Sequence, residues 1–283
     1  MKKQYRESIK FLLTKISPKL ETTINYKYVT GEWLDWKNPQ DINAKINWLK
    51  VKTYYNNPLI TMCIDKYRIR EYLHSKDMDF LCPNLYGVYD DSDEINWGGL
   101  PNQYVLKCNH SCGANLIVKD SRQLNIEEAC KKLKKWLKED YWASGEVQYK
   151  YIKKKIIAEE YLGDGDNLKT YKFFCFNGEP RILYVSLEED KYINYYDIDF
   201  NLLNMKLEGH ENYQKQIKRS DNFEEMIKIA KKLSADFPFV RVDLYDSFGK
   251  IYISELTFIP TGGYMKITPR TVLKEWGEWL KLP

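Results

Sequence analysis

Residues 240–258, VRVDLYDSFGKIYISELTF, alternate apolar and polar side chains on either side of Ser-Phe-Gly, the pattern of two antiparallel strands and a tight turn. Such a hairpin has to commit one face to a core, and Val240, Val242 and Leu244 mark that face. The other face then carries Arg241, Asp243, Glu255 and Thr257, although charged side chains seldom occupy a covered strand without a partner or a task. With Ser247-Phe248-Gly249 as a three-residue loop and Gly249 left-handed, Asp246 faces Lys250 and Arg241 faces Glu255. Asp243 and Glu255 become diagonal neighbours, near enough to share one cation. A two-residue loop would break this register. Two facing carboxylates raise each other's pKa, a cost that a hard divalent cation such as Mg²⁺ removes. Arg241 beside them suits a phosphate or a developing negative charge. The same residues also read as a cross-strand Arg–Glu ion pair with Asp243 solvated.

The rest of the chain supplies a setting for this hairpin. Residues 1–60 read as mainly helical, anchored by Trp33, Trp36 and Trp48 and broken at Pro18 and Pro39, and DKYRIREYL (65–73) reads as a further helix. From about residue 100 the pattern turns to strands, QYVLKCN and NLIVKD flanking HSCGA. In NIEEACKKLKKWLKED, Asn125 caps a helix and Glu128 completes a capping box. KIIAEEYL (155–162) is a strand, and TYKFFCFNGEPRILYVSLE is a hairpin turned at Asn177-Gly178. NFEEMIKIAKKLSADF is a second amphipathic helix, opening near Asn222, and a last helix starts at Thr268-Pro269. Helices first, then antiparallel strands mixed with helices, make this an α+β chain.

Composition narrows the function. The length of 283 residues allows two modest domains or the lobes of one. Hydrophobic content of 43% provides for a packed core rather than disorder. The net charge of +4 is spread among acids and does not mark a nucleic-acid partner. No stretch approaches the roughly 18 apolar residues of a membrane span, and MKKQYRESIKFLLTK lacks the apolar run of a signal peptide. The six cysteines are scattered without the spacing of a disulfide framework, so the expectation is a reduced, cytoplasmic protein.

Two further stretches carry chemistry. VLKCNHSCGANLIVK (105–119) is a strand, a polar loop and a strand. Backbone N–H groups of such a loop can donate to phosphate oxygens, with Lys107 as a point charge, although it has one glycine and no Walker pattern. Cys108, His110 and Cys112 alternate, which is not the spacing of a zinc site. IIAEEYLGD ends a strand with two acids: either a solvated strand end or an edge that meets a purine and its ribose.

In order, DKYRIREY, LPNQYVLKCNHSCGANLIVKD, EEYLGD, YKFFCFNGEPRI, NYYDIDF and FPFVRVDLYDSFGKIYISELTF resemble the ATP-grasp superfamily, and within it the TupA-like ATP-grasp proteins linked to teichuronopeptide and other surface-polysaccharide synthesis. The resemblance implies an ATP-grasp fold of two α+β subdomains with ATP between them, about residues 61–160 and 161–283, preceded by a helical region of residues 1–60. It implies phosphate binding by Lys107 and Arg70. A loop of Asn109, His110, Ser111, Gly113, Ala114 and Asn115 would close over the triphosphate. Glu159, Glu160, Tyr161 and Leu162 would hold adenine, and Asp164 or Asp166 the ribose. Lys172 would face phosphate. Asp243, Glu255 and Thr257 would hold Mg²⁺ or Mn²⁺, with Arg241 steadying the transferring phosphoryl group. This chain departs from the usual pattern at Thr257, where Asn is common, at Thr170, where Asp is common, and in CNHSCGAN, which lacks the loop's first glycine.

The implied reaction is ATP-dependent ligation of a small-molecule carboxylate to an amine through an acylphosphate, with sugar-linked substrates such as a uronic acid. Rival readings are a kinase of the same fold, a glycosyltransferase using Asp197 and Asp199 of YDIDF, and a binding protein without turnover. Tyr195, Tyr196, Asp197 and Arg181 are the acceptor candidates.

Overall fold

The computed structural model describes residues 2–163, 168–187, 190–215 and 217–283. Helices α1 (Lys2–Ile16), α2 (Pro18–Thr30) and α3 (Ile42–Leu49) open the chain, and α3 runs into a π-helical turn at Lys50–Tyr54. The break at Pro18 is a helix start: Ser17 precedes it as the cap, its hydroxyl accepting from Leu20 N. Next come α4 (Pro58–Ile64), α5 (Ile69–Ser75), β1 (Leu85–Tyr89), β2 (Tyr104–Cys108), β3 (Asn115–Val118), α6 (Ile126–Lys138) and β4 (Ile156–Glu160). The last part holds β5 (Lys169–Phe176), β6 (Glu179–Leu187), β7 (Tyr192–Asp197), β8 (Lys206–Leu207), α7 (Phe223–Ser234), β9 (Phe239–Ser247), β10 (Lys250–Thr257), β11 (Ile267–Thr268) and α8 (Thr271–Trp279). The chain divides into two compact units, residues 56–162 and residues 1–55 with 163–283. The N-terminal helices therefore belong to the unit that carries β9 and β10.

In the unit of residues 56–162 an antiparallel sheet runs β1-β4-β2-β3. Alternation splits its two central strands. Tyr104, Leu106, Cys108, Ile156 and Ala158 enter a core with Leu133 of α6, while Val105, Lys107, Ile157 and Glu159 share the opposite face. Asn125 caps α6 as expected, its side chain accepting from Glu128 N at 3.1 Å.

In the other unit a five-stranded antiparallel sheet runs β10-β9-β5-β6-β7. Tyr171, Phe173, Cys175, Val240, Val242 and Leu244 are all fully buried, and the ring of Phe173 lies 5.9 Å from that of Phe223 on α7. On the opposite face, Phe174 and Phe176 are sealed by Trp276 of α8, the Phe174 ring 5.0 Å away. Tyr54, in the π-helical turn, donates to Phe239 O at 2.7 Å and ties the first helices to β9. Helix α8 starts later than its Thr-Pro signal because Thr268 is still paired with Lys206 across the β8–β11 ribbon.

The β5–β6 and β9–β10 hairpins of this sheet turn on two residues with positive φ, Asn177 and Gly178 (49° and 83°) and Phe248 and Gly249 (50° and 75°). Such turns match the twist of the strands they join. The second turn corrects the expected three-residue loop: Ser247 pairs directly with Lys250, and Asp246 with Ile251.

Candidate active site

Continued without interruption, that tighter register would place Asp243 opposite Ser254 and send Glu255 to the α7 face. A β-bulge between Ile253 and Glu255 absorbs Ser254 instead. Glu255 then lies directly opposite Asp243, and Thr257 opposite Arg241. The expected pairing of Arg241 with Glu255 is thereby replaced, yet the four residues share one face. A second irregularity, at Phe174/Cys175 of β5 against Pro180–Ile182 of β6, has the same effect. It brings Tyr184 opposite Lys172, which on its other side pairs with Asp243.

These side chains form one buried charge network. Arg241 donates from Nε to Asp243 Oδ1 at 2.7 Å and from Nη2 to Asp243 Oδ2 at 2.6 Å. The same Nη2 lies 3.4 Å from Glu255 Oε1 and 3.1 Å from Thr257 Oγ1. Thr257 donates to Glu255 Oε1 at 2.8 Å, and Arg241 Nη1 donates to the Tyr184 hydroxyl at 3.2 Å. Lys172 donates to both carboxylate oxygens of Asp190, at 3.0 and 2.7 Å, and stands 4.0 Å from Asp243. Burial pushes Asp243 up to about 6 against the pull of Arg241 and Lys172. Lys172 is held above its usual range: burial opposes its charge, but Tyr184 and Asp243 outweigh burial.

Oxygens of Asp243, Glu255 and Thr257 all converge on a single cationic point, which here is Arg241 Nη2. An all-oxygen set of two carboxylates and a hydroxyl suits Mg²⁺ or Mn²⁺ rather than a softer metal. Among the described residues no cluster of three or more His, Cys, Asp or Glu gathers for a metal. A cation at this face would therefore rest on two carboxylates and Thr257, leaving positions for phosphate and water.

In the unit of residues 56–162, Lys107 Nζ donates to Glu159 Oε2 at 2.9 Å, and Arg70 Nη2 donates to Glu159 Oε1 at 2.8 Å and to Pro83 O at 2.7 Å. Burial would raise Glu159, but Lys107 and Arg70 outweigh burial and hold its carboxyl below the usual range. Geometry thus makes Glu159 the shared counter-ion of the two phosphate-binding candidates. Glu160 accepts from Asn84 N at 3.2 Å, and Tyr161 and Leu162 are half-buried. Asp164 and Asp166 lie outside the described residues.

The 109–115 loop is fastened at its base. Asn109 donates to Asp65 Oδ1 (2.8 Å) and Lys153 O (3.0 Å) and accepts from Lys155 N (2.7 Å), so its amide is occupied within the protein. His110, Ser111 and Ala114 are buried, and Lys66 donates to Ser111 O. Burial lowers His110 to about 4, which leaves the ring neutral at pH 7. Gly113 and Asn115 are exposed, and Gly113 takes φ +77°, a conformation that favours glycine. Asp197, weighed above for a glycosyltransferase and as an acceptor candidate, is used by a turn: its carboxylate accepts from Asp199 N (3.0 Å), Asn201 N (2.8 Å) and Asn201 Nδ2 (2.9 Å).

Reading the sequence missed Tyr184 and Asp190. Counting back from Asn177-Gly178 puts Leu183, not Tyr184, opposite Lys172, because the bulge is invisible in the pattern. No local signal marks Asp190.

A strand lysine before a polar loop, a strand ending in acids, and a buried Arg-x-Asp and Glu-x-Thr pair follow one another in the order of the ATP-grasp proteins. The chain belongs to the TupA-like ATP-grasp family, whose model matches residues 44–281. No curated protein matches it at a significant level. Among solved structures it is similar to D-alanine-D-alanine ligase from Helicobacter pylori, with 15% identity, 86% of this chain and 70% of that one covered, and a TM-score of 0.46. It is similar also to L-amino acid ligase from Bacillus licheniformis, with 15% identity, 89% of this chain and 56% of that one covered, and a TM-score of 0.46. A third is N5-carboxyaminoimidazole synthase from Aspergillus clavatus in complex with ADP and 5-aminoimidazole ribonucleotide, at 13% identity, 77% and 50% coverage, and a TM-score of 0.43. The chain spans little more than half the length of the second of these.

Proposed function

We propose that this chain is a Mg²⁺- and ATP-dependent carboxylate–amine ligase working through an acylphosphate, with a sugar acid and an amino acid or other amine of a cell-surface polysaccharide as its substrates. The observation that carries the reading is the convergence of Asp243, Glu255 and Thr257 oxygens on one cationic point, with Arg241 and Lys172 beside it. On this reading Lys107 and Arg70 bind phosphate oxygens, with Glu159 neutralising part of their charge while the site is empty. A Mg²⁺ ion bound at the hairpin supplies neutralisation of the β- and γ-phosphates.

The substrate carboxylate oxygen attacks the γ-phosphorus and ADP departs, leaving a mixed anhydride. The amine nitrogen attacks the acyl carbon, the C–O bond to phosphate breaks, and an amide and inorganic phosphate result. Arg241 stabilises charge that develops on the transferred group. The fork that Arg241 makes with Asp243 here would open once Asp243 holds a metal, freeing the guanidinium for the phosphates.

Calorimetric titration of ATP with and without Mg²⁺, on the wild type and a Glu255→Gln variant, tests the site. Mg²⁺-dependent ATP binding that the variant weakens is the expected result. Folded protein that binds no ATP would sink the reading. Phosphate release from pooled uronic acids and amines then separates outcomes: a ligase needs the amine for full turnover, whereas a kinase leaves a stable phosphate ester.

A further inference from the structure

Residues 1–43 lie ahead of the stretch matched by the family, and the described part of them is amphipathic in an inverted sense. On α1, Ile9, Leu12 and Ile16 fall at i, i+3 and i+7 and are 47, 58 and 67% exposed, while Thr14 is buried. On α2, Leu20, Ile24 and Tyr28 fall at i, i+4 and i+8 and are exposed, while Glu21, Thr22 and Tyr26 are buried. Glu21 can turn inward because the buried Lys50 ammonium stands 3.8 Å from it. Trp33, just past α2, is exposed as well. Thr14, Glu21, Thr22 and the Tyr26 ring, which packs with Leu34 and Ala44, therefore seat these helices, and the aliphatic side chains face outward. Of the 15 large hydrophobic side chains exposed among the described residues, 8 fall within residues 9–33. An apolar patch concentrated in this way marks an interaction surface.

Charge selects its occupant. Lys10, Lys15, Lys19 and Lys27 lie among these residues, against Glu32 and the inward-turned Glu21. The cations stand beside the rings: Lys15 Nζ is 4.1 Å from the centroid of Phe11, and Lys27 Nζ is 5.6 Å from that of Trp33. A second copy of the chain would set these lysines against their own equivalents. An anionic lipid surface would take aliphatic side chains beneath its headgroups, lysines at its phosphates, and Trp33 and Tyr28 at the boundary. No helix among the described residues is long and apolar enough to cross a membrane. We propose that α1, α2 and Trp33 lie flat on a bilayer rich in anionic lipids. The proposal stands apart from the catalytic reading, since none of its residues belongs to the ATP site.

Flotation of the purified chain with vesicles tests it, using phosphatidylcholine alone and a phosphatidylcholine–phosphatidylglycerol mixture. The wild type is expected to float with the mixture, roughly tenfold more weakly with the neutral lipid, and less in high salt. A Leu12→Glu/Ile24→Glu double variant and a Lys15→Glu/Lys19→Glu double variant should each lose roughly tenfold in partition. Far-ultraviolet circular dichroism and ATP binding should be unchanged, since the four positions are exposed. Ile16→Ser is the milder replacement for any double variant that fails to fold. The proposal is overturned if the wild type does not float with the anionic mixture, or if charge reversal leaves flotation unchanged. A dimer in light scattering that Leu12→Glu dissociates would assign the face to a second copy and overturn it equally.

Discussion

At the scale of single residues, the chain keeps ionised groups out of water by giving each one more than one partner. Asp243 is the extreme case, 1% exposed and forked by Arg241. Asp243→Ala leaves the Arg241 guanidinium buried without its forked carboxylate and is expected to cost about 3–5 kcal/mol of stability. Replacing Arg241 and Asp243 together by Met and Leu should cost much less, and urea denaturation of the single and double variants reads the difference. Glu159 offers a pH test. Its folded-state pKa is lowered by Lys107 and Arg70 against burial, so the unfolded chain takes up its proton first on acidification. The stabilisation is full above the ordinary carboxylate pKa of about 4.3 and is lost as pH falls through the lower folded value. The stability gap between the wild type and Glu159→Gln should therefore stay level from pH 7 to about 5 and shrink below that, and a gap constant down to about pH 3 would refute the pairing.

Among the elements, the β9–β10 hairpin shows how a turn and a bulge act together. Phe248-Gly249 adopts positive φ at both positions, and Ser254 is the residue left over. An alanine at position 249 would meet nothing within 4 Å, so Gly249→Ala should cost only the conformational penalty of about 1 kcal/mol. Deleting Ser254 is different in kind. It removes the bulge but makes Glu255 follow Ile253 directly, so Glu255 and Thr257 stay opposite Asp243 and Arg241 and the Mg²⁺ dependence of ATP binding should survive. A magnesium titration monitored by calorimetry checks this, and loss of the dependence on deletion would refute the register.

For the whole molecule, a ligand that binds only the folded chain raises its melting temperature. ATP at a hundredfold excess over its Kd should add about 2.7 kcal/mol of stability, a shift of a few degrees. Mg²⁺ should enlarge that shift in the wild type and not in Glu255→Gln. A thermal shift identical with and without Mg²⁺ would remove the metal from the hairpin.

Local pattern was enough for the helices α6 and α7 and for the strands around Lys107, Glu159 and Asp243, whereas the shared face of Arg241, Asp243, Glu255 and Thr257 was reached through a three-residue loop that the hairpin does not have. Each depends on side-chain period or a cap within a few residues, and the order of the pieces sufficed for the family. Register did not follow from pattern. Hairpin counting assumes an unbroken ladder, and both bulges break it, one to bring Glu255 opposite Asp243 and the other to bring Tyr184 opposite Lys172. The shared salt links of Glu159 with Arg70 and Lys107, which lie 89 and 52 residues away along the chain, were equally hidden. So was the outward apolar face of α1 and α2, because periodicity tells that a helix has two faces and only packing decides which of them meets water.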